Sequence, residues 1–197
     1  MVISLALTLA FFVLLLWVPG LQQANINLYL WVNHFYWPPL ANLTAFIELP
    51  AELFGVILAI ILTQFRRYEL ALCIMIAIVI GIVYVTITKN LTALSRPFVD
   101  LIGVNAAYFP NDFSFPSGHA TGAFAVFSAW CFKEKKHYIP LLGFAALIAI
   151  SRVYIGVHFP LDVFAGAVSG MIIGYWVARL DLTVWMQRLV AFGSRFD

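Results

Sequence analysis

The sequence predicts an all-α integral membrane protein of six transmembrane helices, with an interfacial segment after the first. Of its 197 residues 63% are hydrophobic and 10% charged, and the mean hydropathy of +0.97 lies outside ordinary soluble composition. Apolar runs of near-spanning length recur, each closed by a short polar or basic stop. The length fits one domain, so residues 1–197 read as a single membrane-embedded unit. A formal charge of +2 with dispersed basic residues gives no nucleic-acid face. Cys73 and Cys131 lie in apolar runs without a ligand pattern and read as small apolar side chains.

Residues 1–18 form the first span and end at Pro19-Gly20. The run lacks a basic leader, and Gln22-Gln23 stand where a small-residue cleavage pattern would fall, so it reads as a membrane helix and not a signal peptide. Residues 21–49 contain no Lys or Arg and are rich in Asn, Tyr and Trp. Such amphipathic rings favour the headgroup zone, and Pro38-Pro39 breaks any long helix, so the segment is placed in the interface plane with His34 a wetted residue. The second span covers 50–65 and stops at Arg66-Arg67; the third covers 70–88 and stops at Lys89. Residues 90–116 form a loop longer than most connections, which favours a functional role. The fourth apolar run, 119–132, ends in Lys133-Glu134-Lys135-Lys136; the fifth covers 138–155 and the sixth 157–178.

Six crossings put both termini on one side. Of the eleven basic residues, Arg66, Arg67, Lys133, Lys135, Lys136, Arg179, Arg188 and Arg195 fall on that side, and only Lys89, Arg96 and Arg152 fall opposite. Basic residues concentrate in cytoplasmic loops, so the termini are expected to be cytoplasmic. The three exceptions share their side with His119, His158 and Asp162. A charge near a bilayer core costs at least ~2.5 to 3.5 kcal/mol on insertion scales, which makes each a functional candidate needing a partner.

Lys89 and Arg96 are seven apart, near one helical face, but Pro97 disfavours helical geometry at Arg96 and ends the helix there. Ser117 suits an N-cap, and Gly118 lets a ligand approach the backbone where free N–H groups favour an anion. The run 119–132 is ~21 Å long at helical rise against ~30 Å of hydrocarbon, so the site lies below the outer surface, open to a lipid headgroup arriving sideways. Gly156 ends the fifth helix and Pro160 begins the sixth, which brings Arg152 and His158 together across a tight turn. His158 and Asp162 are four apart, so the carboxylate can hold one imidazole nitrogen and leave the other free.

This set suits phosphoryl transfer, where catalysis is mostly positioning and charge neutralisation. Lys89, Arg96 and Arg152 offset the charge of a phosphate, while Ser117 and the Gly118 amide bind its remaining oxygens. His158 attacks phosphorus, Asp162 orients it, and His119 protonates the leaving oxygen and then activates water. Two His and one Asp also suit zinc, but three nearby cations oppose a metal, so no cofactor is expected. Glu48 and Glu52 read as interface carboxylates, Asp100 and Asp112 as solvated loop residues, and His137 as a surface residue beside the lysine cluster.

Lys89 with Arg96-Pro97, Pro116-Ser117-Gly118-His119, and Ser151-Arg152 with His158 and Asp162 resemble the three-part signature of the type 2 phosphatidic acid phosphatase superfamily. The motifs span 89–162 and the helical layout extends the likeness over most of the chain. The resemblance implies metal-independent dephosphorylation of a membrane lipid phosphate through a phosphohistidine. Within the superfamily the chain is most similar to bacterial undecaprenyl-diphosphate phosphatases. That similarity implies a multi-pass protein of the bacterial inner membrane with its site facing the periplasm or cell exterior. Phosphatidylglycerophosphate or phosphatidate is the alternative substrate. An anion or lipid transporter is the alternative of another class, though transport favours polar groups spread through the membrane depth.

Overall fold

The computed structural model describes residues 1–46 and 51–182. Among these there are helices and connecting loops only. The helices are α1 (Val2–Leu16), α2 (Pro19–His34), α3 (Pro38–Phe46), α4 (Ala51–Gln64), α5 (Tyr68–Thr92), α6 (Pro97–Asp100), α7 (Gly118–Glu134), α8 (Tyr138–Tyr154) and α9 (Pro160–Ala178). Glu48, Arg188 and Arg195 lie outside the described residues, and so does the side chain of Glu52.

α7 and α9 form the spine of the bundle. Gly166, Gly170 and Gly174 recur every four residues along α9 and give it a flat face. A Cβ at Gly166 would stand 2.7 Å from Ser117 O, and at Gly170 and Gly174 it would collide with Thr121 O and Ser128 Oγ. Small residues at helical spacing allow this approach, and dispersion contacts then hold the pair. α5 covers one side, where Cys73 and Ala77 meet Ala125, Ala129, Ile173 and Val177 around Leu5 of α1. α4 packs Ala59 and Leu62 against Ile74 and Ile78 of α5 and Val126 of α7. The outward face of α5 stays apolar: Val79, Val83 and Ile87 are 57, 51 and 54% exposed. A long apolar stripe of this kind faces hydrocarbon more comfortably than water.

By length and composition two segments suffice to cross a bilayer, residues 68–100, which contain α5, and α9. α1 and α2 add a third if the pair, bent by 88°, counts as one span. α4 and α8 are apolar but short, α4 reaching ~21 Å at helical rise. The six-span count therefore goes beyond what these lengths establish.

The sharp turn after α1, a bend of 88°, lays α2 across one end of the bundle. Its side chains do not all face headgroups, however. Trp31 is exposed, whereas Tyr29 and Asn33 are buried. Asn25, Tyr29 and Asn33, spaced by four, form an inward polar stripe: Asn25 Oδ1 accepts from Leu161 N, Tyr29 Oη donates to Gly156 O, and Asn33 exchanges two 2.8 Å bonds with the Asn105 backbone. α2 is thus a strap over the loops that carry the site.

Charge gathers at the two ends. At one end Arg67 pairs with Glu134, and Lys133 reaches Glu69 at 2.6 Å and Leu180 O at 3.4 Å. This gathers the 66–67 turn, the 133–137 turn and the end of α9, as the charge sorting required. Lys89, Arg96, His119, His158 and Asp162 stand at the other end.

Candidate active site

Two buried cations define the floor of the site. α5 runs one turn beyond the expected stop, to Thr92, and Ala93 in the left-handed region (φ 48°) ends it. Lys89 therefore sits inside the last helical turn, 8% exposed. Arg96 is extended (φ −88°, ψ 156°) ahead of Pro97, as the proline demands, and is 4% exposed. Cations so enclosed need partners. Lys89 Nζ donates to Asp112 Oδ2 at 2.5 Å and Phe113 O at 2.6 Å. Arg96 donates from Nη2 to Asp112 Oδ1 at 2.5 Å, from Nε to Asp112 O at 2.9 Å and from Nη1 to Val157 O at 2.7 Å.

Asp112 is thus a bridge between both cations, and not merely the solvated loop residue that its context suggests. Partial burial pushes its carboxyl up, but the hydrogen bonds from Lys89 and Arg96 outweigh this and hold it below the usual carboxylate range.

His158 lies in the turn between α8 and α9. The turn needs Gly156 at φ +82°, where a Cβ would also strike the Asn105 carbonyl. Pro160 starts α9, and Asp162 Oδ2 accepts from Phe159 N at 2.9 Å, which closes the first turn. The imidazole, 3% exposed, has Nδ1 3.5 Å from Asp162 Oδ2 and 3.4 Å from Ser114 Oγ. Ser114 Oγ donates to the same carboxylate oxygen at 2.6 Å. On the other edge, Nε2 is 3.3 Å from Arg96 Nη1.

α7 begins as expected, with Ser117 as its N-cap, and Ser117 Oγ accepts from Ala120 N at 3.5 Å. The starts of α7 and α9 are stitched by Ser117 N donating to Asp162 O at 3.0 Å. A cavity of about 310 Å³ opens here, lined by Lys89, Arg96, Asp112, Gly118, His119 and His158 below Ile82 and Val85 of α5. The structure thus brings five of the sequence-predicted site residues onto one cavity wall. Ser117, Arg152 and Asp162 are buried outside that lining; Arg152 donates from Nε and Nη2 to Ser151 Oγ at 3.1 Å.

Sequence reasoning missed Asp112 and Ser114. Asp112 carried a signal, being the only charged residue between 101 and 118 in a loop that must balance two buried cations. Ser114 carried none. The bland readings of His34, His137 and Asp100 agree with their exposure. Chemically, the arrangement offers donors for an anion and two imidazoles, His119 and His158, on one cavity lining.

Residues 68–186 match the family described as the PAP2 superfamily. An undecaprenyl-diphosphatase of Sulfolobus acidocaldarius is 34% identical over 136 residues, covering 64% of this chain and 60% of that protein. The undecaprenyl-diphosphatase BcrC of Bacillus subtilis is 38% identical over 86 residues, covering 44% of this chain and 45% of its own length. The chain spans about half the length of the curated relatives it matches. Among solved structures, a PAP2-type phosphatidylglycerolphosphate phosphatase from Bacillus subtilis superimposes with a TM-score of 0.74 at 24% identity, covering 89% of this chain and 92% of that one, a likeness of fold. LpxE of Aquifex aeolicus gives a TM-score of 0.62 at 32% identity, covering 80% of this chain and 96% of that one. With the matched family region holding α5, α7, α8, α9 and every residue of the cavity polar wall, the chain belongs to the PAP2 superfamily.

Proposed function

We propose that the chain is a single-domain membrane lipid phosphatase, metal-independent, that works through a phosphohistidine at His158. One observation carries this reading: His158, with Asp162 on its Nδ1 side, opens onto the same cavity as Lys89, Arg96 and His119. Nε2 attacks phosphorus; the P–N bond forms as the P–O bond to the leaving group breaks, and His119 gives that oxygen a proton. Water then attacks phosphorus and passes a proton to His119, the P–N bond breaks, and phosphate leaves. Among the described residues, Nε2 of His119 is the buried side-chain polar atom without a hydrogen-bond partner. A substrate oxygen would satisfy it.

Lys89, Arg96 and the first-turn amide of Gly118 receive the phosphate oxygens, and Asp162 orients His158. Ser117 and Arg152 are assigned to the same anion, which requires it to reach deeper than the present lining. Three cations then supply the charge neutralisation. α1, α4, α5, α7, α8 and α9 are taken as the six crossings, with the basic end cytoplasmic and the cavity facing the periplasm or cell exterior of a bacterial inner membrane.

Undecaprenyl diphosphate, hydrolysed to undecaprenyl phosphate and phosphate, is the preferred substrate, supported by the relatives that carry that name. Phosphatidylglycerophosphate is the second reading, since a relative in Bacillus subtilis is named phosphatidylglycerophosphatase B. A transporter is disfavoured because the ionisable groups cluster at the ends. The full chain, purified in detergent, is assayed side by side on undecaprenyl diphosphate, phosphatidylglycerophosphate and phosphatidate, with an acid-avoiding quench to trap labelled phosphohistidine. His158→Ala should abolish both trapping and release. Phosphate release by His158→Ala at the parent rate refutes the mechanism.

A further inference from the structure

Three groups converge on the His158 ring, Arg96, Asp162 and Ser114, and their donor and acceptor capacities bear on more than its position. Arg96 Nη1 lies 3.3 Å from Nε2. A guanidinium can only donate, so in neutral His158 it favours the lone pair on the nitrogen beside it and the ring proton on Nδ1. That proton needs an acceptor. Ser114 Oγ at 3.4 Å and Asp162 Oδ2 at 3.5 Å are the oxygens beside Nδ1, both farther than the 2.7 to 3.2 Å of an ordinary N–H···O bond, so neither holds the proton alone, and the carboxylate oxygen is already shared. The same oxygen already receives Phe159 N at 2.9 Å and Ser114 Oγ at 2.6 Å. Ser114 Oγ itself stands 3.4 Å from Nδ1 and, with its O–H donating to the carboxylate, turns lone pairs toward the ring.

Ser114 is fully buried. Its backbone is tied by a 2.8 Å bond from its N–H to Leu94 O, and its hydroxyl is held by the 2.6 Å bond to Asp162 Oδ2. A buried hydroxyl is costly unless both its donor and its acceptor capacities are used, and this one has the imidazole on one side and the carboxylate on the other.

We propose that Ser114 is a positioning residue for His158: its hydroxyl accepts the Nδ1 proton and donates to Asp162, which holds Nε2 unprotonated toward the cavity. The relay Nδ1–H···Oγ–H···Oδ2 shares with Asp162 the task of fixing the tautomer. Arg96 also disfavours a proton on Nε2, but without the hydroxyl Nδ1–H keeps only the Asp162 oxygen at 3.5 Å, so the tautomer with its proton on Nε2, which cannot attack phosphorus, gains population. This rests on the assignment of His158 as nucleophile.

The test uses the full chain in detergent, labelled with ¹⁵N-histidine, whose four histidines allow His158 to be assigned by its loss in His158→Gln. Tautomer is read from long-range ¹⁵N–¹H correlations and turnover from phosphate release on undecaprenyl diphosphate. The parent should show the Nδ1–H form. Ser114→Ala should show both tautomers, with kcat lower by about tenfold to a hundredfold and KM within about threefold. Ser114→Thr, which restores a hydroxyl, should recover the single tautomer and most of kcat. If Ser114→Ala cannot be isolated folded, Ser114→Cys, similar in size but a weak donor, is judged by the same two readings. An unchanged Nδ1–H signal overturns the proposal even if kcat falls, and so does a changed signal with parental kcat. A parent that releases no phosphate from any lipid sinks the phosphatase reading instead, and the tautomer measurement then decides the role of Ser114 alone.

Discussion

Gly166→Ala tests whether the spacing of α7 and α9 sets the site. The added Cβ would lie 2.7 Å from Ser117 O, 3.0 Å from Thr121 Oγ1 and 3.1 Å from Ala120 Cβ. Closest carbon–oxygen contacts run near ~3.3 Å, so the start of α7 must retreat by roughly 0.6 Å. Overpacking of this kind costs ~1 to 3 kcal/mol, which for a chain of this size lowers Tm by about 2 to 12 °C. The same retreat stretches the bond from Ser117 N to Asp162 O and carries His119, two residues on, away from α9 and His158. Misplacement near 1 Å costs up to ~10² in rate, so about tenfold is expected here. Gly143→Ala, on α8 with nothing within 4 Å of the new Cβ, is the control and should be neutral or slightly stabilising. Thermal unfolding and phosphate release in detergent read both arms. Parental stability and turnover in Gly166→Ala, matching Gly143→Ala, would refute the reasoning.

Three further outcomes are expected. Asp112 has a carboxyl held below its usual range, so its ion pairs contribute stability above the ordinary carboxylate pH of ~4 and lose it as pH falls through the lowered value; the Tm gap between parent and Asp112→Asn should be constant from pH 7 to 5 and close below ~4. Asn33→Ala removes both bonds to Asn105; it should cost ~1 to 2 kcal/mol and speed amide exchange in residues 105–107, with equal exchange counting against α2 as a strap. Glu134→Gln breaks the pair with Arg67 at the far end; partly exposed pairs contribute ~0.2 to 1 kcal/mol, so a small Tm loss with unchanged turnover is expected, and a large loss of turnover would contradict the separation of the two ends.

Most helix positions follow from local physics. Pro160, Gly156 and Ser117 act within a few residues of themselves, and each stands where its backbone preference placed it. The sequence places the end of the third span at Lys89, but one more helical turn brings its ammonium under the loop, where Asp112 and the Phe113 carbonyl receive it. Tyr29 and Asn33 read as headgroup residues because polarity alone cannot say which side of an interfacial helix faces protein. The glycine stripe of α9 was visible as a spacing, but its meaning depends on the α7 carbonyls it meets.

The sequence by itself determined the helical membrane class, the two-ended distribution of charge and the candidate site residues, because hydropathy, capping and buried charge are properties of short stretches. Tertiary structure alone decided which of these groups touch. Asp112 lies 16 residues from Arg96 and Ser114 lies 44 from His158. Their roles arise only when α2, the long loop and the helix starts are brought together, since hydrogen bonds and ion pairs depend on distances that sequence separation does not encode.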